Sequence, residues 1–589
     1  MIVEMKKVFI FLQKEHAQRS LTDLASLGLL HIEHQNPPSG GEITALVDKL
    51  ALMEQAILIL SSVNRKISVI SALPKDLISV CRHIVDLQKR SEQLKEYAIT
   101  LNGWIDQWSP WGDFDPQEIK QLAQKNISLK LYQIPREQLK SLSEKMVIKK
   151  IFSDGSIDNC IVFCRDNLSL SFKELELPKM SLLQMRQRLA EDAQIILNLK
   201  KQLGEYLNYQ DGLLAEKKVL TQQKIYFEAL QGMGQAEQLV YLKGYVPVDL
   251  EEALVGEAKQ RGWGILTVVP QEEDQVPTLL RNPAWISFIK PLLKLLELIP
   301  GYRELDISPL FIVFFSLFFG MLIGDAGYGL VYLLLNFWLH KKLRYKIKDQ
   351  SVFFLFYILS FCAIIWGLLT GTFFGQAWLL NLGIKPLLPA LTNTTFIQGL
   401  CFLIGAVHLS LAHGWKAILK APALGALAEL GWICVIWAVF FLAKNLILSE
   451  NFPLFGNHLI ILGLILVLFF TNPQKNIFKT IGSGLGSIAL SLVNNFTDVV
   501  SYIRLFAVGL ATVAIADAFN AMAAGIIKKG DFLTIIASIL VVVFGHALNI
   551  ILGPMSVLVH GVRLNVLEFC GHAGVTWNGF AYKPFGRKE

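Results

Sequence analysis

Arg504 lies in SLVNNFTDVVSYIRLFAVGLATVAIADAF, in the middle of a long apolar stretch and far from either end. A guanidinium at the centre of a membrane helix costs about 2.5–3.5 kcal/mol even on the lenient insertion scale. Arginine cannot escape that cost by losing its proton. At about 100° per residue, Thr497, Ser501, Val508, Ala511 and Ile515 share its face, which is small and smooth apart from the charge. Such a face suits the close passage of another helix that brings an ionisable group to the guanidinium. Two blander readings stand beside this one: a fixed ion pair with Asp498 or Asp325, and snorkelling of the side chain towards water.

A second set of candidates lies in FGHALNIILGPMSVLVHGVRLNVLEF. His546, Asn549, Gly553, Ser556, His560 and Arg563 fall within one stripe roughly 100° wide, about 26 Å long at a rise of 1.5 Å per residue. A polar stripe that runs the depth of a bilayer reads as the lining of an aqueous half-path for an ion, whereas each histidine alone reads as a satisfied buried group. Asp325, inside the glycine-rich run GDAGYG, reads first as the cap of a turn. There is no Gly-Lys-Ser/Thr phosphate loop, no HExxH and no CxxC, so nothing points to nucleotide or metal catalysis. Gly482, Gly484 and Gly486 open an apolar helix, where small residues serve close packing.

The elements that must carry these residues follow from composition. Of 589 residues, 53% are apolar and only 17% are charged, against roughly 25% charged in ordinary soluble domains. The mean hydropathy is +0.44. Residues 1–300 hold most of the charge and 308–570 is a succession of apolar runs, so a soluble half is joined to a polytopic membrane half. That excludes a disulfide-rich secreted scaffold, a purely soluble enzyme and a disordered chain. The seven cysteines have no metal or disulfide spacing, and the N-terminal apolar stretch is too short for a signal peptide, so residues 1–300 are expected in the cytosol. A net charge of +7 fits positive-inside loops better than a nucleic-acid surface.

In the soluble half, strands are expected at Val8–Leu12, near His31, at Leu129–Ile134, Met146–Ile151, Cys160–Cys164, Leu239–Val246 and Gly264–Val269. Helices are expected over Glu15–Leu29, near Glu137–Lys145 and over 249–261, which gives small α/β lobes. Between the lobes, two arms at about 42–101 and 182–230 carry seven-residue apolar spacing: Leu46, Met53, Leu60 and Ile67 in one, Leu182, Leu189, Ile196 and Leu203 in the other. The second arm then shifts by four to Leu207, and Pro74 interrupts the first. The arms read as a long antiparallel coiled coil, with ordinary amphipathic helices packed on a core as the alternative.

In the membrane half, Ser308–Leu339 is broken at 324–329 into two short helices around a buried turn. Spans follow at about 351–375, 396–415, 425–446 and 455–472, with long ones at about 480–526 and 532–570, eight helices in all. From a cytosolic N-terminus this count puts twelve basic residues inside: Lys341, Lys342, Arg344, Lys346, Lys348, Lys416, Lys420, Lys475, Lys479, Lys583, Arg587 and Lys588. Four fall outside: Lys385, Lys444, Lys528 and Lys529. The asymmetry obeys the positive-inside rule. The last two helices exceed the hydrocarbon thickness, so they must tilt or protrude.

At these residues the chain resembles the membrane stator subunit of V-type and archaeal-type rotary ATPases, called subunit a or subunit I. The matching stretches are KGYVP (243–247), VPTLLRNP (276–283), FFGMLIGDAGYG (318–329), DVVSYIRLFAVGLAT (498–512), GHALN (545–549), VHGVRLNVLEF (559–569) and AYKPF (581–585). The resemblance covers essentially the whole chain. It implies a cytosolic stator arm at 1–300, of α/β lobes joined by an antiparallel coiled coil, and an ion-translocating membrane domain at 301–589. That domain has eight helices, the last two long and tilted. The family's essential arginine maps to Arg504 and its second arginine to Arg563. Half-channel lining is implied at Asn494, Asp498, His546, Asn549, Ser556, His560 and Glu568. Thr512 stands where eukaryotic members carry a histidine, as in prokaryotic members, and Gly553 stands where eukaryotic members carry a glutamate.

The implied partners are a proteolipid ring, peripheral-stalk subunits, the subunit connecting the ring to the central stalk, and membrane lipid, with no nucleic acid and no cofactor. The implied location is a prokaryotic cytoplasmic membrane, with both termini cytosolic and the ATP sites on other subunits. The rival from another class is a secondary ion transporter with a cytosolic regulatory domain, which would carry inverted repeats and paired broken helices.

Overall fold

The computed structural model describes residues 1–63, 76–125, 127–139, 147–164, 170–347, 349–375, 386–471, 477–527 and 531–586. Several sequence expectations fall outside that set: Ile67 and Pro74 of the first arm, most of the helix near Glu137–Lys145, and seven of the residues used in the charge count (Lys348, Lys385, Lys475, Lys528, Lys529, Arg587 and Lys588). The chain packs as two compact units, one of residues 1–9, 29–31 and 244–584, the other of 10–28, 32–243 and 585–589. This division is one of packing, whereas 1–300 against 301–589 is one of expected surroundings.

The soluble elements begin with β1 (Met5–Gln13), α1 (Ala17–Leu27) and β2 (His31–Glu33). Helices α2 (Gly41–Ser62) and α3 (Leu77–Trp108) follow, then α4 (Pro116–Gln124). β3 (Ser128–Pro135), β4 (Val147–Asp154), β5 (Ile157–Cys164) and β6 (Lys173–Leu175) form a sheet of order β4-β5-β3-β6. β4 and β5 pair antiparallel across the Asp154-Gly155 turn, where Gly155 takes φ 60°, a conformation that favours glycine. Asp158 on β5 is held below the usual carboxylate range by hydrogen bonds from Lys150 and Ser153 and by the charges of Lys150 and Arg136. β7 (Gly234–Ala236), β8 (Leu239–Pro247), α7 (Val248–Arg261) and β9 (Gly264–Val268) complete the lobes, in a second sheet of order β2-β8-β1-β9 with β7 on β8.

The second arm is α5 (Leu182–Glu205) and α6 (Gln210–Gln231), separated by a 3-10 turn at Tyr206–Tyr209. That turn falls where the apolar spacing shifts from Leu203 to Leu207. Met53, Leu60, Cys81, Ile84, Leu87, Leu199, Leu203 and Leu213, drawn from α2, α3, α5 and α6, bury one another, so the two arms pack together. Asp192 occupies a buried position in α5, with Arg188, one turn earlier, at 3.3 Å.

After the short helices α8 (Ala284–Ser287) and α9 (Lys290–Leu295), the second half is helical. α10 (Ser308–Ile323) and α11 (Ala326–Leu343) form a pair bent by 120°. The bend is built by Gly324, at φ 68°, and by Asp325, whose Oδ1 accepts from Tyr328 N at 3.1 Å and whose Oδ2 accepts from Gly375 N at 2.8 Å. Asp325 is thus the cap of the turn. Then come α12 (Ser351–Thr370), α13 (Thr394–Lys420), α14 (Gly425–Leu448), α15 (Leu454–Phe470), α16 (Ile477–Ser501), α17 (Ile503–Ile527) and α18 (Phe532–Ser556). Among the described residues five helices or continuous helical runs are long and apolar enough to cross a membrane, or six if the bent pair is one span; Leu454–Phe470 is a shorter apolar helix.

Two features depart from the simple helical reading. The stretch expected as one helix over 480–526 is interrupted at Tyr502, where the chain tightens to i→i+3 bonds (Tyr502 N to Val499 O, Leu505 N to Tyr502 O). Tyr502 is fully buried, with its hydroxyl 2.9 Å from His408 Nδ1. The last helix contains Pro554 and continues into two π-helical stretches, Val557–Gly561 and Leu564–Phe569, before α19 (Cys570–Ala573). Pro554 has no N–H for the carbonyl of Ile550, and the hydroxyl of Tyr332 donates to that carbonyl instead at 2.9 Å.

Candidate functional site

α10 and α17 cross closely at Gly509: a Cβ there would overlap the carbonyl of Met321. Arg504 sits on α17 one turn and a half before this crossing, in the first turn after the Tyr502 break. It is not paired with Asp498 or Asp325. Its Nη1 lies 3.5 Å from Glu568 Oε1, and Arg563 Nε lies 3.5 Å from the same oxygen. Ser501 Oγ also donates to that oxygen, at 3.1 Å. Glu568 is 5% exposed, Arg504 27% and Arg563 52%, so a buried carboxylate is shared by two arginines of unequal exposure. At 3.5 Å these pairs are looser than the 2.7–2.9 Å of a close charge-assisted hydrogen bond. Among the described residues Arg504 Nη1 is buried with no hydrogen-bond partner, and so is Glu568 Oε2. The arginine therefore keeps unused donor capacity in a poorly hydrated place, which is costly.

His546 and Asn549 belong to a different cluster. Tyr328 Oη contacts His546 Nδ1 at 2.7 Å and accepts from Asn549 Nδ2 at 3.1 Å. Asn549 also donates to the carbonyl of Thr512 at 2.8 Å, and His546 Nε2 meets Asn520 Oδ1 at 3.1 Å. This polar cluster joins the glycine turn to α17 and α18. The single stripe expected from His546 to Arg563 does not run straight, because the π-helical turns after Pro554 change the angle per residue. His546 and Asn549 end in one cluster and Arg563 in another.

Asp498 points to neither: its Oδ2 is 3.0 Å from His572 Nε2. Asn494 is exposed, Ser556 and His560 are half-buried, and no hydrogen bond among the described residues ties them to either cluster. Sequence reading did not single out Ser501, Tyr328, Asn520 or Tyr502 as site residues. Ser501 lies on the Arg504 face and Tyr328 in the glycine run, so spacing holds a signal for both. Asn520 follows Asp517 by three residues in an otherwise apolar helix, and such polar residues are rare in membranes without a reason.

A curated relative from Borreliella burgdorferi, named V-type ATP synthase subunit I, is 32% identical, with 100% of each chain covered. The chain belongs to the V-type/A-type ATP synthase subunit I family. The subunit I 1 of Treponema pallidum is 29% identical over 99% of this chain and 100% of its own. An A-type ATP synthase subunit I from Methanocaldococcus jannaschii is 26% identical over 61% of this chain and 56% of its own. No family model matches the chain. A solved structure described as the cytoplasmic N-terminal domain of subunit I, homolog of subunit a, of V-ATPase covers 45% of this chain and 100% of its own at 16% identity. Its TM-score of 0.24 is too low to equate the folds. Membership of the subunit I family, together with the apolar helices, makes this an integral membrane protein of a rotary ATP synthase or ATPase assembly.

Proposed function

We propose that this subunit I is the non-catalytic membrane stator that supplies the ion half-paths and the arginine facing a rotating proteolipid ring. The observation that carries the reading is Arg504 with its under-used guanidinium, held beside the buried Glu568 in the turn after a helix break. Each ring subunit would present a membrane carboxylate that enters lipid only when neutralised by an ion. Opposite Arg504 the ionised form is favoured, so the ion is released there, and the fixed positive charge bars a neutralised carboxylate from slipping straight across. Ala507, Ala511, Ala514 and Ala518, all exposed, continue the Arg504 side of α17 as a small-residue surface over which a ring helix can pass. In the final helix only 17% of the most apolar window is buried, against 50% for Gly425–Leu448. That contrast supports a partner-facing or lipid-facing role for the final helix.

Asn494, Asp498, His546, Asn549, Ser556, His560 and Glu568 line the half-paths in this scheme, with Arg563 at the water-accessible end. Eight helices cross the membrane: α10 and α11 separately, α15 despite its length, and the last two tilted. Both termini lie in the cytosol, in a prokaryotic cytoplasmic membrane. The arms at 42–101 and 182–230 form an antiparallel coiled coil within a 1–300 stator arm, which resists torque by linking to peripheral-stalk subunits. ATP is handled by other subunits. Among the described residues one helix pair is bent, which gives no second copy for the inverted repeat of a secondary transporter.

Purification of the tagged chain in mild detergent tests the reading. A stator brings with it a ring of small apolar subunits and stalk proteins. A chain that transports ions while running alone refutes it.

A further inference from the structure

Four buried or half-buried side chains outside the Arg504 cluster form one unbranched chain of contacts. Asp498 Oδ2 meets His572 Nε2 at 3.0 Å, His572 Nδ1 meets His413 Nε2 at 2.9 Å, and His413 Nδ1 meets Glu429 Oε2 at 2.6 Å. They come from α16, α19, α13 and α14. Beyond Glu429, its other oxygen accepts from Lys420 Nζ at 2.5 Å, with Lys416 Nζ at 3.6 Å. Lys420 is 47% exposed, so this end of the chain reaches the surface of the helices. Asp498, at the other end, lies on the helix that breaks just before Arg504.

Three hydrogen bonds in series need three protons between their atoms. Two ionised carboxylates and two neutral imidazoles supply two. If each histidine gives its proton to its carboxylate, the lone pairs of His572 Nδ1 and His413 Nε2 face each other at 2.9 Å, which is repulsive. If either turns its N–H towards the other, a carboxylate is left facing a bare nitrogen. One further proton removes the conflict wherever it sits.

We infer that Asp498, His572, His413 and Glu429 share one extra proton and form a proton relay between the lysine-flanked surface end and the helix of Arg504. A proton reaching Glu429 Oε2 passes to His413 Nδ1 as the proton on His413 Nε2 moves to His572 Nδ1 and that on His572 Nε2 moves to Asp498 Oδ2. Each inner group gives one proton and takes one, and only N–H and O–H bonds change. Lys416 and Lys420 hold Glu429 as the acceptor, and Lys416 Nζ also donates to the carbonyl of His572 at 3.1 Å, fixing the segment that carries the imidazole. The nearby His408 contacts Tyr502 Oη and stacks on Phe314 and Phe569, and among the described residues it pairs with no carboxylate. Among the described residues no three His, Cys, Asp or Glu side chains converge as metal ligands, which fits four groups strung in a line. The inference rests on the stator reading and narrows it, because a relay of imidazoles passes protons and offers no oxygen cage for sodium.

The test uses the whole complex in vesicles, with ATP-driven acidification measured over about pH 6 to 9, the range where imidazoles titrate. His413→Gln and His572→Gln keep a hydrogen-bonding side chain but cannot relay. Each is expected to slow acidification roughly 100-fold, the low end of what positioned proton transfer contributes, with assembly intact and partial rescue by added imidazole. Normal acidification with an unchanged pH profile, or a loss that imidazole does not rescue, overturns the relay. Sodium transport with no proton movement overturns it as well. Arg504→Lys separates the two ideas: if it is inactive while the glutamine variants pump normally, the relay alone falls, and if it pumps normally the stator reading falls. Should the glutamine variants fail to assemble, nitrogen-15 spectra of the wild-type complex decide. One imidazolium or one protonated carboxyl in the set is expected, and two neutral imidazoles beside two carboxylates overturn the inference.

Discussion

Replacing Arg504 by lysine isolates what the guanidinium contributes. Two unit charges 3.5 Å apart, the distance from Arg504 Nη1 to Glu568 Oε1, attract by about 5 kcal/mol at an effective dielectric near 20. A ring carboxylate brought equally close gains comparable stabilisation of its ionised form. Lysine offers a compact, strongly hydrated charge with no fork of donors, and its pKa falls when it is buried. Losing even half of the attraction, about 2.4 kcal/mol, changes the ionisation equilibrium of the passing carboxylate roughly 50-fold. Arg504→Lys is therefore expected to cut coupled ion transport by at least that factor while assembly survives, because the helix still inserts and packs. Arg563 is less covered by the rest of the chain, at 52% exposed, and shares the same carboxylate; in the proposed scheme it stands at the water-accessible end of a half-path, where water compensates for a weakened contact. Arg563→Lys is therefore expected to lose markedly less transport than Arg504→Lys. The measurement is ion pumping in membrane vesicles, normalised to assembled complex. Near-normal pumping by Arg504→Lys, or equal losses from the two substitutions, refutes the reasoning.

Cysteines placed at Tyr345 and at the C-terminus should react with impermeant reagents from the cytosolic side, and one at Lys385, outside the described residues, from the other; labelling of position 345 from outside overturns the eight-span topology. In the arms, Lys217 Nζ lies 2.8 Å from Glu54 Oε1, so Lys217→Cys with Glu54→Cys should cross-link readily in the assembled complex, and failure to do so argues against paired arms. Asp158, whose carboxyl is held low by Lys150 and Ser153, stabilises its lobe above the ordinary aspartate pKa of about 3.9, and that contribution is lost as pH falls through the lowered value. Hydrogen exchange in Val147–Cys164 should accordingly be faster in Lys150→Met than in the native chain at neutral pH, with the difference vanishing in strong acid. A difference that is independent of pH assigns the effect to packing of the lysine stem.

Sequence alone determined the division into a charged α/β half and an apolar helical half, because burial in water and burial in lipid demand different compositions. It located the helix break from the glycine-rich run 324–329, although the turn itself is only Gly324-Asp325, the strand pair across Asp154-Gly155, and the shift in the second arm at Leu203–Leu207, all set by local backbone chemistry. It also singled out Arg504, because a permanent charge in the middle of an apolar run is costly, although the one helix expected around it is two, broken at Tyr502. Tertiary structure decided who meets whom. Glu568 as the shared carboxylate, His572 against His413, and Tyr328 between His546 and Asn549 join residues far apart in the chain. No spacing rule reports such pairs. In a membrane helix the faces towards lipid and towards protein are both apolar, so amphipathic pattern does not name the neighbour. The break at Tyr502 and the π-helical turns after Pro554 were hidden for a related reason. Tyr502 is fixed by a buried contact from another helix, and the carbonyl left unbonded by Pro554 is satisfied by Tyr332 from another helix, so the path of each helix depends on partners that only the folded chain supplies.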